Sequence, residues 1–304
     1  MSKIAVVGSN MMDLITYVNR MPLRGETIEA PTFEMGHGGK GANQAIAAAR
    51  LGSKVAMVTR VGDDAFADAT IANFQRNGID TTHVLRTPGR SSGVAPIFVE
   101  PSGENSILIV KGANADLTPA DVDAATPALK DCKLILMQME VPVETVYYTV
   151  RKAKELGVPT LLNPAPAAAD LDVARLADLA FLTPNETELA TLTGLPVGNE
   201  HEAEVAARSL TARGIGTVVV TMGGRGALLV DAGGTRRIAP IKVEPVDTTG
   251  AGDAFIGSFA HFCTEGLPVF EALTEAAKYA ADSITRRGTQ RSYATLADFR
   301  ARFP

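Results

Sequence analysis

A glycine-rich turn followed by an acid lies near the carboxyl end of the chain, at residues 247–255, with the sequence DTTGAGDAF. An apolar helical pattern follows it, and the first N–H groups of a helix lack partners and carry partial positive charge. Gly250, Ala251 and Gly252 therefore predict an anion hole of the kind that holds phosphate oxygens. Asp253 would lie beside that phosphate and could accept a proton from an attacking hydroxyl. Helix capping by this acid is the alternative.

A second glycine-rich turn, MGHGGKGANQA at residues 35–45, also precedes a helical pattern. It matches the dinucleotide-binding pattern G-x-G-x-x-G, with Asp63 about twenty residues further on. That pattern normally follows the first core strand, a place already taken by KIAVVG, and Lys40 is unusual within it. Gly41 stands where a Walker A loop needs Ser or Thr. The hypothesis that the protein is a dinucleotide-dependent oxidoreductase therefore depends on this match alone.

Two further motifs each allow a structural and a functional interpretation. Asn185 and Glu188 in TPNETE share one face of a predicted helix start. They predict either a capping box or a site for phosphate and Mg²⁺-bound water. The segment TMGGRGALLV at 221–230 predicts strand, turn and strand, which is either only a hairpin or the border of a nucleotide base.

The elements that must position these motifs alternate between short β-branched runs and Ala/Leu-rich helical patterns. This order predicts a three-layer α/β fold, with a largely parallel central sheet flanked by helices. The predicted strands lie at 3–8, 54–62, 133–139, 159–163, 217–223 and 226–230. The predicted helices lie at 41–52, 65–78, 143–157, 185–194 and 202–214.

Two segments, 27–36 and 91–112, read instead as hairpin-like strands without helices. Inserted strands on an α/β body often cover a site. The pattern predicts a discontinuous β lid from about 14–36 and 91–112 on a single α/β domain that spans residues 1–304. A small extra sheet with no gating role is the alternative.

Composition restricts the partners. The 304 residues are 46% hydrophobic and 21% charged, with a net charge of −5, and no basic run points to nucleic acid. No apolar run approaches the about 18 residues of a membrane span. Cys132 and Cys263 lie in apolar surroundings, which suits free thiols in a reducing cytoplasm.

Together these motifs resemble the ribokinase-like family of carbohydrate kinases over nearly the whole chain, from GSNMMD to GTQRS. The specific signatures are GGKGANQA at 38–45 and DTTGAGDAFIG at 247–257, with NETE and TMGGRG in the expected order between them. The resemblance implies an α/β domain with a small β lid that forms a homodimer interface. It also implies a small-molecule sugar and ATP as substrates, with Mg²⁺ and an activating K⁺.

The same resemblance implies roles for individual residues. Asp253 would be the catalytic base and Gly250, Ala251 and Gly252 the anion hole. The sugar-binding positions would be Asp13, Gly39, Lys40, Asn43 and Glu140. The ATP-binding positions would be Asn185, Thr221, Gly223, Gly224, Arg225, Gly226 and Gly252, with Glu188 holding Mg²⁺ through water. The K⁺ loop would comprise Asp247, Thr249, Ser283, Arg286, Gly288 and Ser292.

One departure from the family pattern bears on the sugar. Ribokinases carry Asn-x-Asp where this chain has Met11 and Asp13, and Asn10 would face the other way in an extended strand. Methionine offers a soft apolar surface suited to a CH₂ group. The sequence therefore predicts phosphorylation of the 5-hydroxyl of 2-deoxy-D-ribose, and several segments resemble the branch of the family with that substrate.

Other functions stay open at this point. Met11 could be a tolerated substitution in an enzyme that acts on D-ribose. A kinase of another furanose or of a nucleoside, and a sugar-binding regulator without catalysis, are further alternatives.

Overall fold

Two sheets organise the computed structural model, which describes residues 3–102 and 104–303. Within these residues a nine-stranded sheet has the order β13-β12-β11-β10-β9-β8-β1-β4-β5, and a separate four-stranded sheet has the order β3-β2-β6-β7. The strands are β1 (Lys3–Val7), β2 (Met11–Tyr17), β3 (Thr32–Gly38), β4 (Lys54–Val61), β5 (Asp80–Arg86), β6 (Val94–Val99), β7 (Asn105–Ile107), β8 (Leu134–Gln138), β9 (Thr160–Asn163), β10 (Phe181–Leu182), β11 (Thr217–Thr221), β12 (Ala227–Asp231) and β13 (Gly234–Ile238).

The large sheet is parallel from β5 through β11 and ends in the antiparallel strands β12 and β13. Its central strands β8 and β9 are buried along their whole length, as expected when helices cover both faces. All six predicted strands belong to this sheet, which confirms the predicted fold class. Strands β5, β10 and β13 were not predicted from the sequence, because β5 and β13 are rich in polar residues and β10 has only two residues.

Helices cover the two faces of the large sheet. They are α1 (Lys40–Arg50), α2 (Ala65–Arg76), α3 (Pro119–Ala124), α4 (Thr126–Leu129), α5 (Val143–Leu156), α6 (Glu186–Thr193), α7 (Glu200–Thr211), α8 (Ala251–Thr264), α9 (Val269–Ser283) and α10 (Leu296–Arg302). Strand β1 shows the layering, because Ile4 and Val6 enter one apolar core with α1 and α8, while Ala5 and Val7 enter the other with α5. Across residues 3–102 and 104–303, no helix combines the length and apolarity needed to cross a membrane.

The small sheet is mixed. Strand β2 lies antiparallel to β3 and parallel to β6, and β6 pairs antiparallel with β7. The hairpin-like segment 91–112 contains β6 and β7, whereas within 27–36 strand β3 begins only at Thr32. The central strand β2 starts at Met11, earlier than the lid start near residue 14 that the pattern indicated. Gly103, in the predicted turn VEPSGENS, lies outside the described residues.

Candidate active site

The GAG turn lies at the start of α8. Gly250 has a left-handed φ of 76°, and a Cβ there would lie 2.3 Å from Thr289 Cγ2, so close packing requires glycine. The amide of Ala251 donates to the Thr248 carbonyl at 3.3 Å, whereas those of Gly252 and Asp253 have no partner in the part of the chain described. A Cβ at Gly252 would meet no atom within 4 Å. Unpaired amides beside open space could hold an anion, which is the role that the sequence predicts for this turn.

A cavity of about 170 Å³ opens in front of this turn. Among the predicted residues, Lys40, Asn185, Glu188, Thr221 and the four residues 250–253 line it. Asn163, Thr183, Thr248 and Ile256 also line it, although the sequence analysis gave them no role. A more open hollow of about 570 Å³ lies around Leu171 and Arg213 and contains none of the predicted residues. The smaller cavity is therefore the candidate active site.

Asp253 is 7% exposed and accepts hydrogen bonds at both carboxylate oxygens. Asn43 Nδ2 donates to Oδ2 at 2.9 Å, and Gln44 Nε2 donates to Oδ1 at 3.0 Å. Both donors come from α1, and no side chain caps α8. The alternative of Asp253 as a helix cap therefore does not describe its contacts. The two bonds fix the orientation of a carboxylate at the rim of the anion site.

The second glycine-rich turn leads from β3 of the small sheet into α1, rather than from a strand of the large sheet. Glu140, which follows β8, accepts from the Lys40 amide at 2.9 Å and from Ser9 Oγ at 2.5 Å. Gly39 has a φ of 86°, and a Cβ there would lie 2.7 Å from the Met11 amide nitrogen. The turn thus folds tightly over the residues that lead into β2, and its glycines serve this close approach.

Lys40 lines the cavity on the phosphate side. The carboxylate of Asp253 raises the pKa of Lys40, burial opposes the shift, and Glu140 and Glu188 add to it. The ammonium group therefore stays charged at neutral pH in a cavity that also holds unpaired amides. The resemblance gave Lys40 a place among the sugar-binding positions, and the structure places its side chain with Asn185 and Glu188.

Asp13 lies on β2 above Gly38, where an added Cβ would lie 2.2 Å from Asp13 Oδ1. Burial raises the pKa of Asp13 to about 7, and the carboxylates of Glu140 and Asp253 add to the shift. The carboxyl groups of Asp13, Glu140 and Asp253 are therefore close enough to interact, on the side of the cavity that faces the small sheet. Asp13 and Glu140 in this group are two of the positions for which the resemblance implies sugar binding.

Met11 precedes Asp13 by two residues on β2, so both side chains lie on the same face of the sheet. Met11 is only 3% exposed. The amide of Asn10 is directed elsewhere, donating to Thr59 Oγ1 at 2.8 Å and to the Arg60 carbonyl at 2.9 Å. As the sequence analysis expected, Asn10 does not replace the amide missing at position 11.

On the opposite side of the cavity, Asn185 and Glu188 form the capping box of α6. Asn185 Oδ1 accepts from the Glu188 amide at 2.8 Å, and Glu188 Oε2 accepts from the Asn185 amide at 2.9 Å. Burial raises the pKa of Glu188. The structure therefore contains the capping box. Because both residues also line the cavity, the capping box does not exclude a site for phosphate and Mg²⁺-bound water.

The residues after Thr221 turn through a 3₁₀ segment, Gly223–Arg225, into β12. Gly226 has a φ of 89°, and a Cβ there would lie 2.2 Å from the Ile238 carbonyl, so this glycine allows β13 to approach. The Arg225 guanidinium pairs with Glu186. Of this motif only Thr221 lines the cavity, and the predicted ATP-binding residues 223–226 are not among its lining residues.

The predicted cation-loop residues come together from two segments. Asp247 accepts from the amides of Thr249 and Gly288, each at 2.9 Å. Arg286 donates to the Ser292 carbonyl at 2.6 Å and pairs with Asp282, while the Ser283 hydroxyl donates to the Ala280 carbonyl at 2.8 Å. The described residues contain no group of three metal-ligating side chains here, so an ion would depend on backbone carbonyl oxygens.

Several polar residues that support the site were absent from the sequence predictions. Gln138 donates to Gln44 Oε1 at 2.6 Å, and the Tyr293 hydroxyl donates to the Gly250 carbonyl at 2.9 Å. Gln290 donates to Asn43 Oδ1 at 2.9 Å. The one signal that could have indicated Gln44 is a polar side chain inside the apolar pattern ANQAIAAA. Nothing in the local pattern around 290–293 indicated the other two contacts.

Comparison with known proteins agrees with this geometry. Residues 1–296 match the model of the pfkB family carbohydrate kinases. A deoxyribokinase of Salmonella typhi is 52% identical over 97% of both chains, and a ribokinase of Mus musculus is 39% identical over 95% of this chain and 91% of its own. The structure of Arabidopsis thaliana ribokinase with ribose and ATP has a TM-score of 0.92 at 30% identity, covering 99% of this chain and 98% of that one. The chain belongs to the pfkB family of carbohydrate kinases.

Proposed function

We propose that this protein transfers the γ-phosphoryl group of ATP to the 5-hydroxyl of a pentose, preferentially 2-deoxy-D-ribose. The observation that carries the proposal is the position of Asp253. On one side its carboxylate contacts the Asn43 side chain and interacts with Asp13, which also interacts with Glu140. On the other side it lines the cavity that holds the unpaired amides. The similarity to a deoxyribokinase over 97% of both chains supports the choice of substrate class.

In this proposal Asp253 accepts the proton of the sugar hydroxyl as that oxygen attacks the phosphoryl group. The amides of Gly252 and Asp253 and the ammonium group of Lys40 stabilise the charge on the transferring phosphoryl oxygens. A positioned base contributes about 10²–10⁴-fold in rate. Asn43 and Gln44 keep the carboxylate oriented while this happens.

The donor set also fits the expected ions. Mg²⁺, when bound, would neutralise charge on the ATP phosphates, with Glu188 at the cavity wall holding a metal-bound water. K⁺ would lie between the segments 247–249 and 283–292, which the Asp247 carboxylate joins. Tyr293 links the second segment to the anion hole through its bond to the Gly250 carbonyl. A cation bound between these segments would therefore order the anion hole through Tyr293 and Gly250, without contact with the sugar.

Met11 supplies the proposed discrimination between sugars. It lies on the face of β2 that also carries Asp13, where an asparagine could bond a sugar hydroxyl. A buried thioether makes no such bond and leaves a 2-hydroxyl without a partner. Acceptance of a CH₂ group at that point favours 2-deoxy-D-ribose, whereas D-ribose is the alternative that the similarity to ribokinases supports.

We further propose that the small sheet acts as a lid and as the interface of a cytoplasmic homodimer. Phe33 and Met35 lie on the face of β3 opposite Asp13 and are 55% and 52% exposed. Exposed apolar side chains on one strand are typical of an association surface. Cys132 and Cys263 are free thiols, which suits a reducing compartment.

The first experiment measures ADP release with ATP, Mg²⁺ and K⁺ and compares kcat/KM for 2-deoxy-D-ribose and D-ribose. A higher value for the deoxy sugar is expected. A higher value for D-ribose would retain the kinase mechanism and remove Met11 as the cause of specificity. No turnover of either sugar would contradict the proposed substrate and favour another furanose or nucleoside, or a binding protein without catalysis.

A further inference from the structure

A chain of three side-chain amides ends on the Asp253 carboxylate. Asn73 Nδ2 on α2 donates to Gln290 Oε1 at 2.8 Å. Gln290 Nε2 donates to Asn43 Oδ1 at 2.9 Å, and Asn43 Nδ2 donates to Asp253 Oδ2 at 2.9 Å. All four residues are buried. We refer to Asn73, Gln290 and Asn43 as the amide relay.

Because the relay ends on a carboxylate, each of its amides can donate in one direction only, toward Asp253. An ionised carboxylate only accepts hydrogen bonds, so Asn43 must turn its NH₂ group toward Asp253. The Asn43 oxygen then faces Gln290 and needs a donor, which only the NH₂ group of Gln290 supplies. The same reasoning places the NH₂ group of Asn73 against Gln290 Oε1. Each amide therefore depends on the orientation of the one behind it.

The turn that carries Gln290 is itself held in place. Arg50, at the end of α1, donates to the Gln290 carbonyl at 2.5 Å and to the Tyr293 carbonyl at 2.7 Å. Arg291 in the same turn donates to the Met35 carbonyl on β3 at 3.1 Å. Gln290 does not line the cavity, and its side-chain route to Asp253 runs through the hydrogen bond to Asn43.

We propose that Gln290 is a positioning residue for phosphoryl transfer, which acts through Asn43 to hold the Asp253 carboxylate aimed at the sugar hydroxyl. This inference rests on the proposed role of Asp253 as the base. Without the Gln290 donor, the buried Asn43 oxygen loses its hydrogen-bond partner, and the orientation of the Asn43 amide then depends on the Asp253 carboxylate itself. Asn43 would therefore restrain the carboxylate less firmly.

Other titratable groups also interact with Asp253, namely Lys40, Asp13, Glu188 and the Tyr293 hydroxyl. Substitution at Gln290 or Asn73 leaves all four groups in the protein. A change in the kinetics of such variants therefore reports the amide relay rather than the loss of one of these groups.

The first test removes the central donor with Gln290→Met, which has similar length and no hydrogen-bonding amide. We expect kcat with the better sugar to fall at least about tenfold, the size of one bond to a charged group. KM for ATP should change little, because the cavity amides are unchanged. The rise in Tm caused by ATP should persist. A wild-type kcat, with only a lower Tm, would overturn the proposal.

The second test reverses the relay from its far end. In Asn73→Asp the introduced carboxylate accepts instead of donating, so it draws the NH₂ group of Gln290 toward itself and leaves the Asn43 oxygen without its donor. Turnover should fall increasingly as pH rises and the new acid ionises, and it should recover at lower pH. Gln75→Glu, on the exposed face of the same helix, is the matched control and should keep wild-type kinetics.

These variants separate the relay from the proposed catalytic role. If Asp253→Asn is inactive and both relay variants behave as wild type, only the relay is wrong. If Asp253→Asn keeps wild-type turnover, the base itself is wrong. If Gln290→Met does not fold, Asn73→Asp still decides, because a pH profile parallel to that of Gln75→Glu would overturn the relay.

Discussion

Asn43 on the first long helix donates a 2.9 Å hydrogen bond to Asp253 on the eighth, although 210 residues separate them in the chain. The bond joins the two glycine-rich turns at one carboxylate. Gln44, the next residue, bonds the other oxygen of the same group. The turn after β3 therefore orients the side chain that the turn before α8 places beside the phosphate site.

Replacement of Asp253 by asparagine preserves size but removes the proton acceptor. We expect kcat of Asp253→Asn to fall by about 10²–10⁴-fold, measured as ADP release at saturating substrates. The ATP-induced rise in Tm should remain, because the cavity amides are unchanged. Asp178→Asn, a change at an exposed ion pair, is the control and should be fully active. Turnover near that of the wild type in Asp253→Asn would remove this residue from the role of base.

Met11→Asn restores the amide found in ribokinases. A side chain that can bond a 2-hydroxyl should shift the ratio of kcat/KM for 2-deoxy-D-ribose over D-ribose toward D-ribose by about tenfold or more. Met11→Leu keeps an apolar side chain and should leave the ratio nearly unchanged. The competing sugars are measured in parallel with each variant. An equal ratio in both variants would show that Met11 does not select the sugar.

Gly250 and Gly252 give a matched pair of alanine substitutions with opposite effects. Gly250→Ala forces a left-handed φ and a clash with Thr289, and we expect it to lower the free energy of unfolding by about 2–4 kcal/mol. Gly252→Ala adds a methyl group to open space, so thermal unfolding should change little while kcat falls because the methyl group intrudes on the phosphate. Loss of stability in Gly252→Ala, with normal turnover, would contradict this assignment.

The raised pKa of Asp13, about 7 against an ordinary 3.8, makes the stability of the ligand-free protein depend on pH. The folded protein keeps a proton that the unfolded chain releases, so this contribution is complete below about pH 4 and is lost as pH rises through about 7. Asp13→Asn has no carboxyl group to titrate, so the variant avoids the loss of stability at high pH. Its Tm should be higher than that of the wild type by about a few degrees at pH 8 and equal to it at pH 4. Thermal unfolding at both pH values measures this difference.

The control for that experiment is Glu104→Gln, an exposed acid next to β7. It should show no difference between the two pH values. Asp13→Asn should also abolish the stabilisation of the protein by its sugar. An equal gain in Tm at pH 4 and pH 8 would mean that the proton on Asp13 is not the cause.

Exchange of K⁺ for choline tests the proposed cation loop. Without an ion to order the segment behind Gly250, we expect kcat to fall about tenfold or more, while ATP still raises Tm. Asp247→Asn should increase the K⁺ concentration needed for half-maximal activity, because the amide carries no charge. Asp231→Asn, at the end of β12, is the control and should leave this concentration unchanged. Equal turnover in K⁺ and choline would exclude activation by this ion.

Local sequence determined much of this protein. The largely apolar runs that became β1, β8 and β9 show no alternation of apolar and polar residues, and they therefore predicted a sheet covered on both faces. The turn GAGD predicted its own anion site, because a helix start supplies amides wherever it lies. The box formed by Asn185 and Glu188 is likewise local, since its residues are three apart.

Only the tertiary structure decided which of these local features meet. Gln290 and Tyr293 contact Asn43 and Gly250 from a short turn with no periodic pattern, and such contacts depend on how α1 packs against α8. The strand Met11–Tyr17 became the centre of the small sheet because β3 and β6 pair with it from both sides. Hydrogen bonds between distant residues follow from packing, and packing depends on the whole chain, so no short segment could have predicted them.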